Sequence, residues 1–164
     1  MRGYFLDTCV LSGWYKKDEA ILARVEALPD VPLWISVAAW GEVEYGFRVL
    51  TPPEYHPCAE ATFKRFVREK VVRIQDITTH TVESYGKLKA LLFSKFAPGK
   101  KKRAGLRPEQ LVDPVTSLEL GIQENDLWMA AQAMQFNFVL ATVDKMHRIS
   151  EVAQGLVTIE NWLQ

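Results

Sequence analysis

The stretch that most constrains this chain is Tyr4-Phe5-Leu6-Asp7. Successive side chains of a strand point to opposite faces of the sheet. A strand that reads as an unbroken apolar run therefore buries both faces, the habit of a central strand in a parallel sheet covered by helices. This run stops at a carboxylate. Ligands in open α/β sheets bind just beyond the carboxyl ends of the strands, and Asp7 stands at that address. The question the rest of the chain poses is which other acids reach the same place.

Helical and extended patterns alternate after it. Trp14, Ile21, Leu22, Val25 and Leu28 form a helical stripe that Pro29-Asp30 ends. Residues 31–35 read as a second strand, and Ser36 is a good N-cap for a helix to about Val49, closed by Thr51-Pro52-Pro53. Residues 54–69 read as a helix with Ala59, Phe63, Phe66 and Val67 on one face, and 71–74 as a β-branched strand. Thr78 or Thr79 caps a helix to about Phe93, with Val82, Tyr85, Leu88 and Leu92 inward. Asn125 caps a helix from Asp126 to about Phe136. Residues 138–141 form a strand, 144–149 a helical turn, and 156–159 a last strand. The expected fold class is α/β: a single domain over 1–164 with a mainly parallel central sheet flanked by helices and right-handed crossovers.

Residues 97–118 break this rhythm with Pro98, Gly99, Gly105, Pro108 and Pro114, and read as a long loop inserted in the domain with one short helical turn. Long loops in compact domains tend to be functional or disordered. Lys95, Lys100, Lys101, Lys102, Arg103 and Arg107 fall in or beside it, with no acid between them. The whole chain balances 20 basic against 20 acidic residues, which speaks against a uniformly basic nucleic-acid binder. No apolar stretch reaches the roughly 18 residues needed to cross a bilayer. Met1-Arg2-Gly3 runs straight into a strand, leaving no room for a signal peptide. Cys9 and Cys58 are too few for a disulfide framework. A cytoplasmic protein without membrane contact is the expectation, with Cys9 a small residue buried beside the first strand.

Four acids occupy comparable places. Asp7 follows the first strand, Glu42 lies in the helix after the second, Asp126 opens the helix after the loop, and Asp144 follows the 138–141 strand, two residues beyond Thr142. Glu44 rivals Glu42. Each acid alone has an ordinary structural use as a turn residue, helix cap or solvated helix residue. Gathered together they would repel, and at least one would take up a proton unless a cation intervened. Carboxylates without His or Cys partners favour Mg²⁺ or Mn²⁺ over zinc. Such an ion can acidify a bound water and polarise a phosphoryl group.

The motifs carry a resemblance. Leu6-Asp7-Thr8-Cys9-Val10-Leu11 resembles the opening motif of PIN-domain proteins, a strand ending in a metal-binding Asp. Ile35-Ser36 with Glu42-Val43-Glu44-Tyr45-Gly46 resembles the second motif. Asn125-Asp126-Leu127-Trp128-Met129-Ala130-Ala131-Gln132-Ala133 resembles the third, the most specific of the set, and Leu140-Ala141-Thr142-Val143-Asp144 the fourth. The nearest subgroup is the VapC-type toxins of type II toxin–antitoxin systems. The resemblance implies a Mg²⁺-dependent endoribonuclease, with Mn²⁺ as a substitute. Asp7 and Asp126 would be the main metal ligands, Glu42 would complete the cluster, and Asp144 would be a ligand or support one. Thr142 would orient a carboxylate or water. An RNA substrate, a homodimer and a cognate antitoxin follow from the same likeness. His147 stands where the family commonly has Phe.

Lys100, Lys101, Lys102 and Arg103 could hold RNA phosphates against the acids, or simply solvate a surface loop. Trp40 and Trp128 read as core or dimer-contact residues. Two other functions compete. A non-catalytic RNA-binding or regulatory PIN module has no use for a repulsive acid cluster. A phosphohydrolase of the haloacid dehalogenase type wants a second Asp two residues after the first, where this chain has Cys9.

Overall fold

The computed structural model describes residues 3–50, 52–99, 105–144 and 146–163. Its five strands are β1 (Tyr4–Leu6), β2 (Leu33–Ser36), β3 (Arg73–Gln75), β4 (Val139–Thr142) and β5 (Thr158–Asn161). They form one sheet in the order β3-β2-β1-β4-β5, every neighbouring pair parallel. Seven α-helices are present among the described residues: α1 (Thr8–Tyr15), α2 (Glu19–Ala27), α3 (Val37–Leu50), α4 (His56–Lys70), α5 (Thr79–Phe96), α6 (Glu124–Phe136) and α7 (His147–Val152).

The apolar run of β1 is buried on both sides, as its sequence requires. Phe5 joins a cluster with Leu88, Leu92, Leu127 and Leu140, under α5 and α6. Leu6 joins the opposite cluster with Leu11, Ile35, Phe63 and Val67, under α1 and α4. Each such side chain stabilises the fold by roughly 1.5–3 kcal/mol relative to exposure. Within β2 and β4 the same alternation sends Trp34 and Leu140 to one cluster, and Ile35 and Ala141 to the other.

Three local expectations are corrected. The stripe from Trp14 to Leu28 is two helices. Lys17 adopts φ +61° and breaks α1 from α2, and Asp18 Oδ1 accepts the amides of Ala20 at 3.1 Å and Ile21 at 3.2 Å, capping α2. Val82 faces outward, while Leu88 and Leu92 are fully buried. Asn125 does not cap its helix, because α6 begins one residue earlier, at Glu124, and its amide is used elsewhere.

Two expected caps are present. Ser36 Oγ accepts the Ala38 amide at 2.9 Å. Thr78 Oγ1 accepts the Thr81 amide at 3.3 Å, and Thr81 Oγ1 accepts the Thr78 amide at 3.0 Å, the reciprocal box that starts a helix.

In the long connection, Pro108–Gln110 makes a single 3₁₀ turn. A narrow hairpin follows, bridged between Val112 and Glu119. Asp113 organises it: Oδ1 accepts the amides of Val115 at 2.9 Å and Thr116 at 3.1 Å. Its Oδ2 pairs with Arg148 of α7 at 2.7 Å. Lys100, Lys101, Lys102 and Arg103 lie outside the described residues. Among the described residues no helix is long and apolar enough to cross a membrane.

Candidate metal centre

The parallel sheet brings the ends of β1 and β4 side by side, with Leu6 opposite Ala141. Asp7 and Asp144 therefore share the carboxyl edge. The N-terminus of α6 delivers Asp126 and the second turn of α3 delivers Glu42. All four line one open cavity of about 780 Å³, with Thr8, Cys9, Glu119, Leu120, Gly121, Gln123, Met129, Val143 and Met146 around them. Among the described residues no Lys, Arg or His lines it.

Asp7 is almost wholly buried. Its Oδ1 accepts the Val10 amide at 2.7 Å and caps α1, and its Oδ2 accepts the Thr142 hydroxyl. Thr142 Oγ1 in turn accepts the Asp144 amide at 3.0 Å, so one hydroxyl ties together the ends of both central strands. Glu42 is held from two sides. Thr8 Oγ1 donates to Oε2, and Asn125 Nδ2 donates to Oε1 at 2.7 Å. Asp126 Oδ2 accepts the Gln123 amide at 2.7 Å, which leaves its carboxylate at the first turn of α6. Asp144 is exposed at the rim.

Burial pushes the Asp7 carboxyl up to about 6, against the pull of the Thr142 hydroxyl and the Val10 amide, with the Asp144 charge adding to the rise. Burial also lifts Asp126 to about 6; the Gln123 amide opposes this, and the charges of Glu42, Asp144 and Asp7 reinforce it. The acids burden one another, and no cationic side chain among the described lining residues relieves them. Among the described residues no group of three or more His, Cys, Asp or Glu side chains is placed to hold a metal ion, and the carboxylates that border the cavity offer oxygen donors only. That donor set fits a hard divalent cation that keeps several waters, as Mg²⁺ does when bound by one or two carboxylates.

Glu44, the rival of Glu42, points away. It pairs with Lys64 and Arg48, each at 2.9 Å, as residues two apart on a helix must face different sides. Cys9 is exposed rather than buried; its Sγ lies 3.5 Å from Asp144 Oδ2. Burial of the sulfur and the neighbouring Asp7 and Asp144 charges push its thiol up to about 12, so it stays protonated and a poor nucleophile. His147 is exposed and absent from the cavity lining. Trp128 stacks on Tyr85 at 3.8 Å, and Trp40 lies near Phe63. Three participants were not assigned these roles from sequence: Thr8 and Asn125 as the clamp on Glu42, and Glu119 as a fifth acid in the wall. The first two sit inside quoted motifs. Glu119 lies on the hairpin, where no pattern announced it.

A five-stranded parallel α/β sheet whose central carboxyl edge gathers acids from four separate segments defines a class of acid-site α/β domain. The PIN domain family model matches residues 4–154, and the chain belongs to that family. Solved structures share the fold. FitAcB from Neisseria gonorrhoeae superposes with a TM-score of 0.72 at 16% identity, over 98% of this chain and 99% of that one. VapBC2 from Rickettsia felis, bound to a DNA fragment from their promoter, gives 0.67 at 23% identity, over 97% and 98%. VapBC-1 from nontypeable Haemophilus influenzae gives 0.66 at 22%, over 98% of each. No curated protein sequence matches the chain.

Proposed function

We propose that this chain is a metal-dependent endoribonuclease toxin of the VapC type, kept in check by a cognate antitoxin. The observation that carries the reading is the open cavity that gathers Asp7, Glu42, Asp126 and Asp144, with no cationic side chain among its described lining residues. Asp7 and Asp126 would hold Mg²⁺ or Mn²⁺, with Glu42 and Asp144 completing the acidic ring. When bound, the ion supplies positive charge that acidifies water and polarises a phosphoryl oxygen.

The chain's own residues do the rest. Thr142 fixes the Asp7 carboxylate by its hydroxyl. Thr8 and Asn125 fix Glu42. Asp144, open to solvent at the rim, can accept a proton from the attacking water and pass it out. In this reading the chain pairs as a homodimer and an antitoxin closes the site; the fold it shares with the VapBC structures supports the antitoxin partner.

The test is cleavage of a mixed tRNA and rRNA pool with Mg²⁺, Mn²⁺ or EDTA, for the wild type, Asp7→Asn and Asp126→Asn. Discrete cuts that need metal and vanish in both variants are expected. RNA binding without any cutting in antitoxin-free protein would favour the non-catalytic module instead.

A further inference from the structure

A second cavity, about 490 Å³, adjoins the acidic one and shares Glu42 and Gln123 with it. Its other walls are Val37, Ala38, Gly41, Tyr45 and Asn125. We propose that this shelf is a nucleobase subsite, in which an unstacked base beside the scissile phosphate lies against Tyr45 and the bare backbone at Gly41. The inference rests on the ribonuclease reading and names the form of substrate it takes: single-stranded RNA.

Three observations converge on it. Tyr45 is 67% exposed, and its ring contacts no other aromatic ring among the described residues. It follows Glu42 by three residues on α3, so the ring lies about one helical turn, roughly 5 Å along the axis, from the acid cluster. Gly41 lies four residues before it on the same face. A Cβ built at Gly41 would meet nothing within 4 Å, so no packing demand explains the glycine, and its absent side chain leaves the helix surface flat.

The chemistry of the walls selects the occupant. Among the described residues they contain no cation, and they do contain the Glu42 carboxylate, so a phosphate finds no positive partner in them. An uncharged flat group does gain. Base–aromatic stacking is tolerant of sequence, and the amide side chains of Gln123 and Asn125 are of the kind that read base edges. Asn125 already spends its Nδ2 on Glu42, which ties the base shelf mechanically to the acid it borders. A base within a duplex stays stacked on its neighbours and cannot enter.

The experiment measures fluorescence anisotropy of a mixed-sequence single-stranded RNA and of the same strand in duplex. Asp7→Asn serves as the non-cleaving background, alone and combined with Tyr45→Ala or Tyr45→Phe. Metal-dependent cutting by Tyr45→Ala on an otherwise wild-type chain is followed in parallel. Tyr45→Ala should weaken single-strand binding roughly ten-fold, the scale of one lost stack. Tyr45→Phe should stay within about two-fold of its parent, since the ring and not the hydroxyl is used. Melting temperatures should not differ, because the ring is exposed. Unchanged affinity in Tyr45→Ala with cutting retained overturns the subsite alone. A wild type that neither binds nor cuts RNA overturns the ribonuclease reading with it. An arginine-containing peptide that loses affinity in Tyr45→Ala while RNA does not would assign the shelf to a protein partner and overturn the proposal.

Discussion

Asn125 and Glu42 are joined by a 2.7 Å hydrogen bond across 83 positions of sequence, Nδ2 donating to Oε1. The donor stands one residue before Asp126, so the same turn of α6 that presents one acid also steadies another. Replacing Asn125 by Ala leaves Glu42 held by Thr8 alone. Metal-dependent cleavage should fall about ten-fold or more, the scale of a lost hydrogen bond to a charged group. Asn125→Asp should be worse, since two carboxylates would then face each other. Initial rates over a Mn²⁺ titration check both, and an Asn125→Ala rate equal to wild type would refute the clamp.

Asp7 and Asp126 each titrate near 6 in the folded protein, against an ordinary value of 3.8. Folding thus favours their protonated forms. Their contribution to the stability of the metal-free protein is complete below about pH 4 and is lost as pH rises through about 6. The melting temperature of wild type relative to Asp7→Asn/Asp126→Asn should therefore fall across that window in EDTA. A divalent cation needs the ionised forms, so the rise in melting temperature on adding Mn²⁺ should be small at about pH 5 and large at about pH 7.5. An equal rise at both would sink this account.

Asp113 holds the hairpin of 112–119 by three bonds, and that hairpin leads into Glu119, Leu120 and Gly121 of the cavity wall. Asp113→Ala should speed amide hydrogen exchange at Val115, Thr116 and Ser117 and cost about 1–3 kcal/mol of stability. Hydrogen exchange followed by mass spectrometry reads the first, and urea unfolding the second.

The basic run Lys100, Lys101, Lys102 and Arg103 is proposed to lie against RNA phosphates. Changing all four to Ala should lower affinity and reduce the slope of log K against log salt by about 3, given roughly 0.7 per phosphate on a single strand. Anisotropy between low and physiological salt measures it, and an unaltered slope would reduce the run to a solubilising one.

Much of this architecture was legible because its cause is local. Unbroken apolar runs announced the buried strands, and Ser36 and Thr78 announced helix starts. What escaped is what depends on three dimensions. The periodicity of Trp14–Leu28 continues through Lys17, whose left-handed backbone leaves no mark in an apolar pattern. Glu42 and Glu44 are equivalent in a string. Lys64, from the next helix, draws Glu44 aside. Cys9 looked like a buried small residue because it follows β1, but the first turn of α1 carries it into the cavity mouth. The hairpin at 112–119 depends on Arg148, 35 positions away from Asp113, which no local rule supplies.

The strand order β3-β2-β1-β4-β5 has a consequence for biosynthesis. β1 precedes the other four strands in sequence, yet its neighbour on one side, β4, is made only after Phe138. Until then Asp7 has neither Thr142 to bind it nor Asp144 beside it. Any nascent chain or truncated product that stops short of β4 lacks the assembled cavity, whatever else it has folded. The four acids of the cavity therefore come together only in chains that extend through Asp144.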